Sequence, residues 1–237
     1  MNLVISGLVG FVLGIFAHNL AAQSLHDAPL RPLRWTCPDC GTDRDGNWLA
    51  CERCGRRRWR EPVTALTSAG MAVGIYGVVG TSWALIPFAG FILLTTALAL
   101  TDIDAMRIVD RLNLRGTAFL AAALGATSLL DDRFSDFLRG LAGGAAYFAG
   151  SLLLFLLVRG RGFGAGDVKL APLLGVFTTY LGWEVLVRSV FGTAIIGGLL
   201  ALVAIVFMAA KRNTELPYGP AMILGSWVAI VLVGVGS

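Results

Sequence analysis

The sequence predicts an all-α polytopic membrane protein with about eight transmembrane helices and a small cytoplasmic zinc-ribbon-like insert. The chain of 237 residues is 56% apolar and only 14% charged, which is too little charge for a soluble domain of this size. Apolar runs of roughly 20 residues, each long enough to cross a hydrocarbon core as a helix, recur along the whole length. Four cysteines in two C-x-x-C pairs fall within the one sizeable polar segment.

The apolar runs define the order of the spans. The first run has no preceding Lys or Arg and is longer than the apolar part of a cleaved signal peptide, so we predict a retained helix. The polar segment that follows is too small for an apolar core of its own. We therefore divide the chain into a first transmembrane helix at 1–22, a cytoplasmic four-cysteine zinc module at 23–63 and a seven-helix transmembrane domain at 64–237. The predicted spans lie near 3–22, 64–80, 82–101, 116–130, 140–158, 168–187, 189–210 and 219–236.

The basic residues predict the orientation. With the N-terminus outside and the cysteine segment inside, all but three of the 19 Lys and Arg residues fall in inside loops. Only Arg133, Arg139 and Arg188 lie outside, and this bias follows the positive-inside rule. Since the basic residues are spread over several loops rather than gathered in one stripe, the net charge of +4 does not indicate nucleic-acid binding. The predicted partner of the apolar surface is the lipid bilayer.

Four cysteines predict a metal site in the polar segment. Cys37, Cys40, Cys51 and Cys54 form two C-x-x-C knuckles, each followed by Gly, and such knuckles direct thiolates at one tetrahedral ion. The gap between the knuckles is shorter than the usual ribbon spacing but sufficient for a small hairpin. Two disulfides or four free thiols are the alternatives, and disulfides are disfavoured on the cytoplasmic side. We predict structural Zn²⁺ with all four positions filled.

Two acids stand at the ends of predicted spans. Asp102 closes the third span, and Asp167 opens the sixth after Gly164 and Gly166. Two intervening spans return the chain to the same face, so the pair can meet at the cytoplasmic surface. Paired carboxylates that share one proton can hydrolyse a peptide, one as base on a water and the other polarising the carbonyl. The two glycines, which lack Cβ atoms, leave room for a substrate backbone against this loop.

The same residues also have structural interpretations. Asp167 precedes a helix and is suited to an N-cap. Asp102 and Asp104 are suited to ion pairs with nearby arginines. Lys169 has two interpretations as well, because it can either pair with Asp167 or anchor the helix at the inner membrane surface.

Three segments resemble one family. Residues 101–110, TDIDAMRIVD, are similar to the first aspartate motif of the type IV prepilin peptidases, the GxGD-type aspartic membrane proteases that act as prepilin leader peptidases. Residues 164–170 look like the GxGDxKL motif of that family, and residues 215–220 resemble its late PFGP-like segment. Eight spans with a cytoplasmic four-cysteine insert after the first are also the family's layout, so the resemblance covers nearly the whole chain.

The resemblance implies an activity and a location. It assigns catalysis to Asp102 and Asp167, and Asp110 matches the second, non-catalytic acid of the first motif, whereas Asp104 matches no acid of the family. It implies cleavage of prepilins or pseudopilins after a Gly at the cytoplasmic face of the bacterial inner membrane. Many members also N-methylate the new N-terminus with S-adenosylmethionine. Gly164, Gly166 and Lys169 are then substrate-binding or supporting residues.

Some positions depart from the family pattern. Val109 stands where the family usually has Pro, and the two knuckles are closer together than in typical members. Residues 56–63 are more basic than the usual form. Most of these departures fall in the insert that the resemblance links to methylation, so the sequence predicts the peptidase and leaves the methyltransferase open.

Two rival functions belong to other classes. A non-enzymatic membrane scaffold would use the zinc module to bind a partner, and Asp167→Asn would leave its function intact. A transporter with a proton relay would favour acids deep within its spans, whereas these acids lie at span ends. We interpret His18 and His26 as ordinary polar residues near a helix end rather than as ligands.

Overall fold

The computed structural model shows an all-helical chain. It describes residues 3–26, 35–37, 40–42, 51, 53–54, 59–158, 163–207 and 218–235. Within these ranges the chain forms eight α-helices and no β-sheet. The helices are α1 (Leu3–Leu25), α2 (Arg60–Val79), α3 (Leu85–Ala105), α4 (Asp110–Leu130), α5 (Phe134–Leu157), α6 (Ala165–Leu181), α7 (Trp183–Phe207) and α8 (Gly219–Val235).

The prediction of a polytopic helical membrane protein is confirmed. Five helices, α1, α2, α3, α5 and α7, are long and apolar enough to cross a membrane. α6 and α8 have 17 residues each, which gives about 25 Å at 1.5 Å per residue. That length is at the short end of the range for a span. α4 is less apolar because its first turns carry Asp110, Arg111 and Arg115.

Several helix ends differ from the predicted spans. The sixth helix ends at Leu181, and Gly182 alone separates it from α7, whereas the apolar pattern places this break at about residue 188. The apolar residues Val185 and Leu186 continue the hydrophobic run across the turn, so hydropathy alone does not reveal it. α2 and α4 begin at Arg60 and Asp110, earlier than predicted, because charged residues extend the helices beyond their apolar parts.

The centre of the bundle is α6, most of whose residues are buried. α5 packs along one side of it, and α4, α7 and α8 contact it as well. Phe91 of α3 stacks on Phe177 of α6, with ring centroids 4.4 Å apart, and Trp227 of α8 adds a third ring 5.2 Å from Phe91. Gly143 and Gly144 of α5 face α6 so closely that a Cβ atom at either position would overlap a side chain, and small residues allow such close helix packing in membrane proteins.

The chain order places polar groups at two ends of the bundle. The Asp102 end comprises the C-terminus of α3 and the N-termini of α4 and α6. The Asp131 end comprises the opposite termini of these helices and the N-terminus of α5. Asp131, after α4, accepts hydrogen bonds from the N–H groups of Trp83 and Ala84, both at 3.2 Å, and so caps the start of α3.

Candidate active site

Asp102 lies in the last turn of α3 and is almost completely buried, with 6% of its surface exposed. The N–H of Gly219, the first residue of α8, donates a hydrogen bond of 3.1 Å to Oδ2 of this carboxylate. α3 ends three residues later at Ala105, and the next residue, Met106, caps it: its left-handed φ of 49° turns the chain away, and its N–H bonds to the Asp102 carbonyl oxygen at 2.8 Å. α8 therefore fixes one oxygen of an acid on α3.

Asp167 is the third residue of α6 and is also 6% exposed. The N–H of Gly164, the residue just before the helix, donates a hydrogen bond of 2.9 Å to Asp167 Oδ2. Asp167 is therefore the N3 acid of a capping box rather than the N-cap itself, because Gly164 occupies the N-cap position. Within the described part of the chain, Oδ1 of Asp167 and Oδ1 of Asp102 accept no hydrogen bond.

The two acids lie at the same end of the bundle, one in the last turn of α3 and the other in the first turn of α6. The Ile108 side chain also connects their surroundings. A Cβ atom at Gly166, next to Asp167, would lie 3.4 Å from Ile108, and one at Gly219 would also lie 3.4 Å from it. Two buried carboxyl groups, each bonded at one oxygen and with no hydrogen bond to the other from the described residues, are suited to supply the acid and the base that hydrolysis of an amide requires.

The glycines next to the acids are in close contact with them. A Cβ atom at Gly219 would lie 2.7 Å from Asp102 Oδ2, closer than real Cβ contacts, and one at Gly164 would lie 3.2 Å from Asp167 Oδ2. The residue at Gly219 must therefore be small for the N–H bond to form. Gly166 faces Ile108 at ordinary contact distance, so it is less constrained.

The two other candidate supporting residues, Asp110 and Lys169, pair with each other. Lys169 Nζ lies 2.6 Å from Asp110 Oδ2, and both side chains are largely exposed. Beneath this pair, the fully buried Asn113 side chain donates a 2.7 Å hydrogen bond to the backbone oxygen of Lys169. These contacts hold the start of α4 against the first turns of α6.

Val109, at the start of α4, has a φ of −73°, a value that proline also adopts, so the turn has the shape that a Pro would give.

Asp104, the acid that matches no family position, pairs elsewhere. Its Oδ1 lies 2.6 Å from Nη1 of Arg60, the first residue of α2. Both side chains are about one quarter exposed. The pair connects the end of α3 to the point where the chain leaves the cysteine segment, and it places that segment at the Asp102 end.

The four cysteines come together as predicted. The Sγ atoms of Cys37, Cys40, Cys51 and Cys54 all lie within 4.8 Å of one another. Two pairs join opposite knuckles, at 3.8 Å for Cys37 with Cys54 and 3.7 Å for Cys40 with Cys51. A disulfide needs about 2.05 Å, whereas sulfurs around one tetrahedral zinc ion with bonds of about 2.3 Å lie about 3.8 Å apart. The sulfur positions therefore fit a metal centre and exclude the disulfide alternative.

The cysteine cluster favours thiolates and is attached to α1. Backbone N–H groups of Cys54 and Arg53 lower the pKa of the Cys51 thiol to about 6. Asn19 of α1 accepts a 3.1 Å hydrogen bond from the N–H of Thr36, the residue before Cys37. In the described residues the cluster consists of the four cysteines.

Sequence reasoning missed four contributors to this site. Gly219 and Ile108 lie within two of the segments that resemble the family, but their roles, through a backbone N–H and an apolar contact, cannot be read from the residue types. Asn19 and Asn113 are buried polar residues on helices, and a polar residue within an apolar run is a detectable signal. Residues 215–217 of the late PFGP-like segment lie outside the described residues, as do most of the basic residues of the insert.

The chain was compared with known proteins. The model of the type IV leader peptidase family matches residues 88–202. A prepilin leader peptidase/N-methyltransferase of Bacillus subtilis is 30% identical over 235 residues, which cover 94% of this chain and 91% of that protein. Proteins of the same name from Stutzerimonas stutzeri and Pseudomonas aeruginosa are 28% and 27% identical, cover 78% and 82% of this chain, and are themselves covered to 62% and 70%. No solved structure matches the chain.

Proposed function

The chain belongs to the type IV leader peptidase family and is a peptidase, and on that premise we propose that it is an aspartic endopeptidase that removes the leader from type IV prepilins or pseudopilins. Cleavage follows a Gly, just before the apolar helix of the substrate. Asp102 and Asp167 are the catalytic residues. The observation that carries the proposal is that two buried carboxyl groups, 65 positions apart in sequence, lie at one end of the bundle beside glycines that both face Ile108, while each keeps one oxygen unbonded in the described part of the chain.

The chemistry follows from one shared proton. The ionised carboxylate takes a proton from water as the water oxygen attacks the scissile carbonyl carbon, and the protonated carboxyl gives its proton to the carbonyl oxygen. The tetrahedral intermediate collapses when the acid that took the water proton gives it to the amide nitrogen, the C–N bond breaks, and one hydroxyl of the intermediate returns its proton to the other carboxylate. The products are a leader with a new carboxyl group and a mature pilin with a free amino group. The N–H groups of Gly164 and Gly219 hold the two acids during these steps.

The surface beside Asp102 supports a substrate that is itself a membrane helix. Ile103 and Met106, on either side of the last turn of α3, are 51% and 59% exposed. Exposed apolar side chains next to buried acids give an apolar substrate helix a contact surface while its scissile peptide reaches the carboxyl groups. The substrate then arrives by lateral diffusion in the bilayer.

The charge pattern supports an inner-membrane orientation with the N-terminus outside and the Asp102 end at the cytoplasmic face. In the described residues the Asp102 end carries Arg60, Arg107, Arg111, Arg115 and Lys169, as the positive-inside rule requires of a cytoplasmic surface. The proposed organisation keeps the first helix at 1–22, the zinc module at 23–63 and the catalytic helices at 64–237, although α2 itself begins at Arg60.

The cysteine cluster is proposed to hold structural Zn²⁺ through all four thiolates, which leaves no open position for substrate. Its role is to order a segment that has no apolar core of its own.

N-methylation is the second proposed activity, because the curated relatives carry N-methyltransferase in their names. S-adenosylmethionine would supply the methyl group.

The test is incubation of the purified protein with a prepilin, with and without S-adenosylmethionine, followed by intact-mass measurement. Loss of the leader mass demonstrates the peptidase, and a further gain of one methyl group demonstrates the methylase. Asp102→Asn and Asp167→Asn should each abolish cleavage because an amide cannot transfer the proton.

A nearby acid provides the matched control for these variants. Asp104→Asn removes a carboxylate two residues from Asp102 that belongs to a partly exposed ion pair. The Asp104→Asn protein should cleave the prepilin at nearly the normal rate. Normal cleavage by a folded Asp102→Asn or Asp167→Asn protein would refute the dyad.

A further inference from the structure

Two aromatic residues connect the segments that hold the acids. The Phe163 and Tyr218 rings meet edge to face, with centroids 5.4 Å apart and an interplanar angle of 71°. Phe163 immediately precedes Gly164, whose N–H bonds to Asp167, and Tyr218 immediately precedes Gly219, whose N–H bonds to Asp102. Each ring is therefore one residue away from the donor that fixes one acid.

Both rings are held from behind. Phe163 is 6% exposed and belongs to the apolar core. Tyr218 packs on the backbone of α7 at Gly197, where a Cβ atom would lie 2.6 Å from the tyrosine ring. Neither ring can move away from the other without disturbing the residues that it packs against. The edge-to-face contact therefore sets the separation of residues 163 and 218, and with it the separation of the two N–H donors.

We propose that the Phe163–Tyr218 contact is a positioning device that holds the Gly164 and Gly219 donors at one separation and thereby keeps Asp102 and Asp167 together. The inference rests on the proposed dyad and goes beyond it, because neither aromatic residue touches the reacting atoms. The phenol of Tyr218 lies within electrostatic range of Asp167, but the positioning role belongs to the ring and does not require the hydroxyl.

A double-mutant cycle on prepilin cleavage tests this proposal. Phe163→Leu and Tyr218→Leu keep an apolar side chain but remove the edge-to-face contact. Each should lower kcat by roughly 10-fold or more with little change in KM, since displacement of catalytic groups by about 1 Å has effects of that size or larger. The double variant should be no slower than the worse single variant, because both changes break the same contact.

Conservative and remote variants complete the design. Tyr218→Phe keeps the ring and should retain kcat within about 2-fold. Phe134→Leu alters a comparable pair, Phe134 with Phe137 at 5.7 Å, at the Asp131 end, and should leave kcat unchanged. Thermal unfolding in detergent identifies any variant that is slow because it is unfolded, and kcat is then taken per folded molecule.

The outcomes separate the two proposals. Full kcat in the Leu variants, multiplicative losses in the double variant, or a Tyr218→Phe loss as large as that of Tyr218→Leu would overturn the positioning role while Asp102→Asn and Asp167→Asn remain inactive. Cleavage by those two Asn variants would instead remove the dyad on which the inference rests.

Discussion

At the Asp131 end of the bundle, both oxygens of Asp131 bind backbone N–H groups, and both oxygens of Asp136 pair with Arg133 and Arg139 at 2.6 and 3.0 Å. At the Asp102 end, each of the two buried acids has one bonded oxygen in the described part of the chain. The same residue type therefore serves two purposes in one molecule. A fully bonded carboxylate stabilises the fold, whereas a carboxylate with an unbonded oxygen remains available for chemistry.

The largest effect expected at the Asp102 end concerns the ionisation of Cys51 in the cysteine cluster. Before metal binds, Cys51 should deprotonate with a midpoint near pH 6 rather than 9.0, because backbone N–H groups stabilise its thiolate. The shift corresponds to an acidity increase of about a thousandfold. Thiolate absorbance of chelator-treated protein, compared with Cys51→Ser, measures this midpoint.

The sign of this shift also predicts a pH dependence. Folding lowers the pKa of the Cys51 thiol from 9.0 to about 6. Ionisation of Cys51 therefore stabilises the folded, metal-free insert fully above about pH 9, and this stabilisation is lost as the pH falls towards about 6. A Cys51 midpoint above pH 8 would contradict the assigned N–H donors.

The next largest effect is expected at Gly219. Gly219→Ala places a Cβ atom 2.7 Å from Asp102 Oδ2, so the carboxylate must move, and kcat should fall by about 100-fold. Gly198→Ala is the matched control, because a Cβ atom there has nothing within 4 Å. Initial rates of prepilin cleavage measure both. Equal rates for the two variants would show that the anchor of Asp102 is dispensable.

At the Asp131 end we expect a loss of stability without a loss of chemistry. Asp131→Ala removes the acceptor for two N–H groups at the start of α3, which should cost about 1–2 kcal/mol of unfolding free energy. Thermal unfolding in detergent measures the cost, and cleavage per folded molecule should be unchanged. A stable but inactive Asp131→Ala protein would contradict the assignment of a purely structural role to the Asp131 end.

The smallest effects concern the contact between α4 and α6. Asn113→Leu removes a buried hydrogen bond to the Lys169 backbone and should cost about 1 kcal/mol. Lys169→Met removes only an exposed ion pair with Asp110 and should cost less than about 0.5 kcal/mol. Chemical unfolding of both variants tests the order. If Lys169→Met proves the more costly change, the ion pair matters more than its exposure suggests.

Composition and apolar runs predicted the all-helical membrane fold, and the spacing of the four cysteines predicted their cluster. Both depend on local sequence patterns. Helix ends were less predictable. The turn at Gly182 lies within a continuous apolar run, and the charged residue Arg60 extends a helix beyond its apolar part.

Long-range contacts limited the prediction of the site. The candidate acids stood out as charges at span ends. The bond from Gly219 to Asp102 joins positions 117 apart, and the Phe163–Tyr218 contact depends on how α6, α7 and α8 pack. Such partners leave no periodic trace in a sequence, so only the folded structure identifies them.

The anchors of both acids are main-chain amides, and this has a consequence for protein engineering. Substituting a side chain can crowd an amide but cannot delete its proton, except by introducing proline. Libraries that randomise the apolar surface around Ile103 and Met106 can therefore search for altered preference for the apolar helix of the proposed substrate while the acids keep their N–H donors.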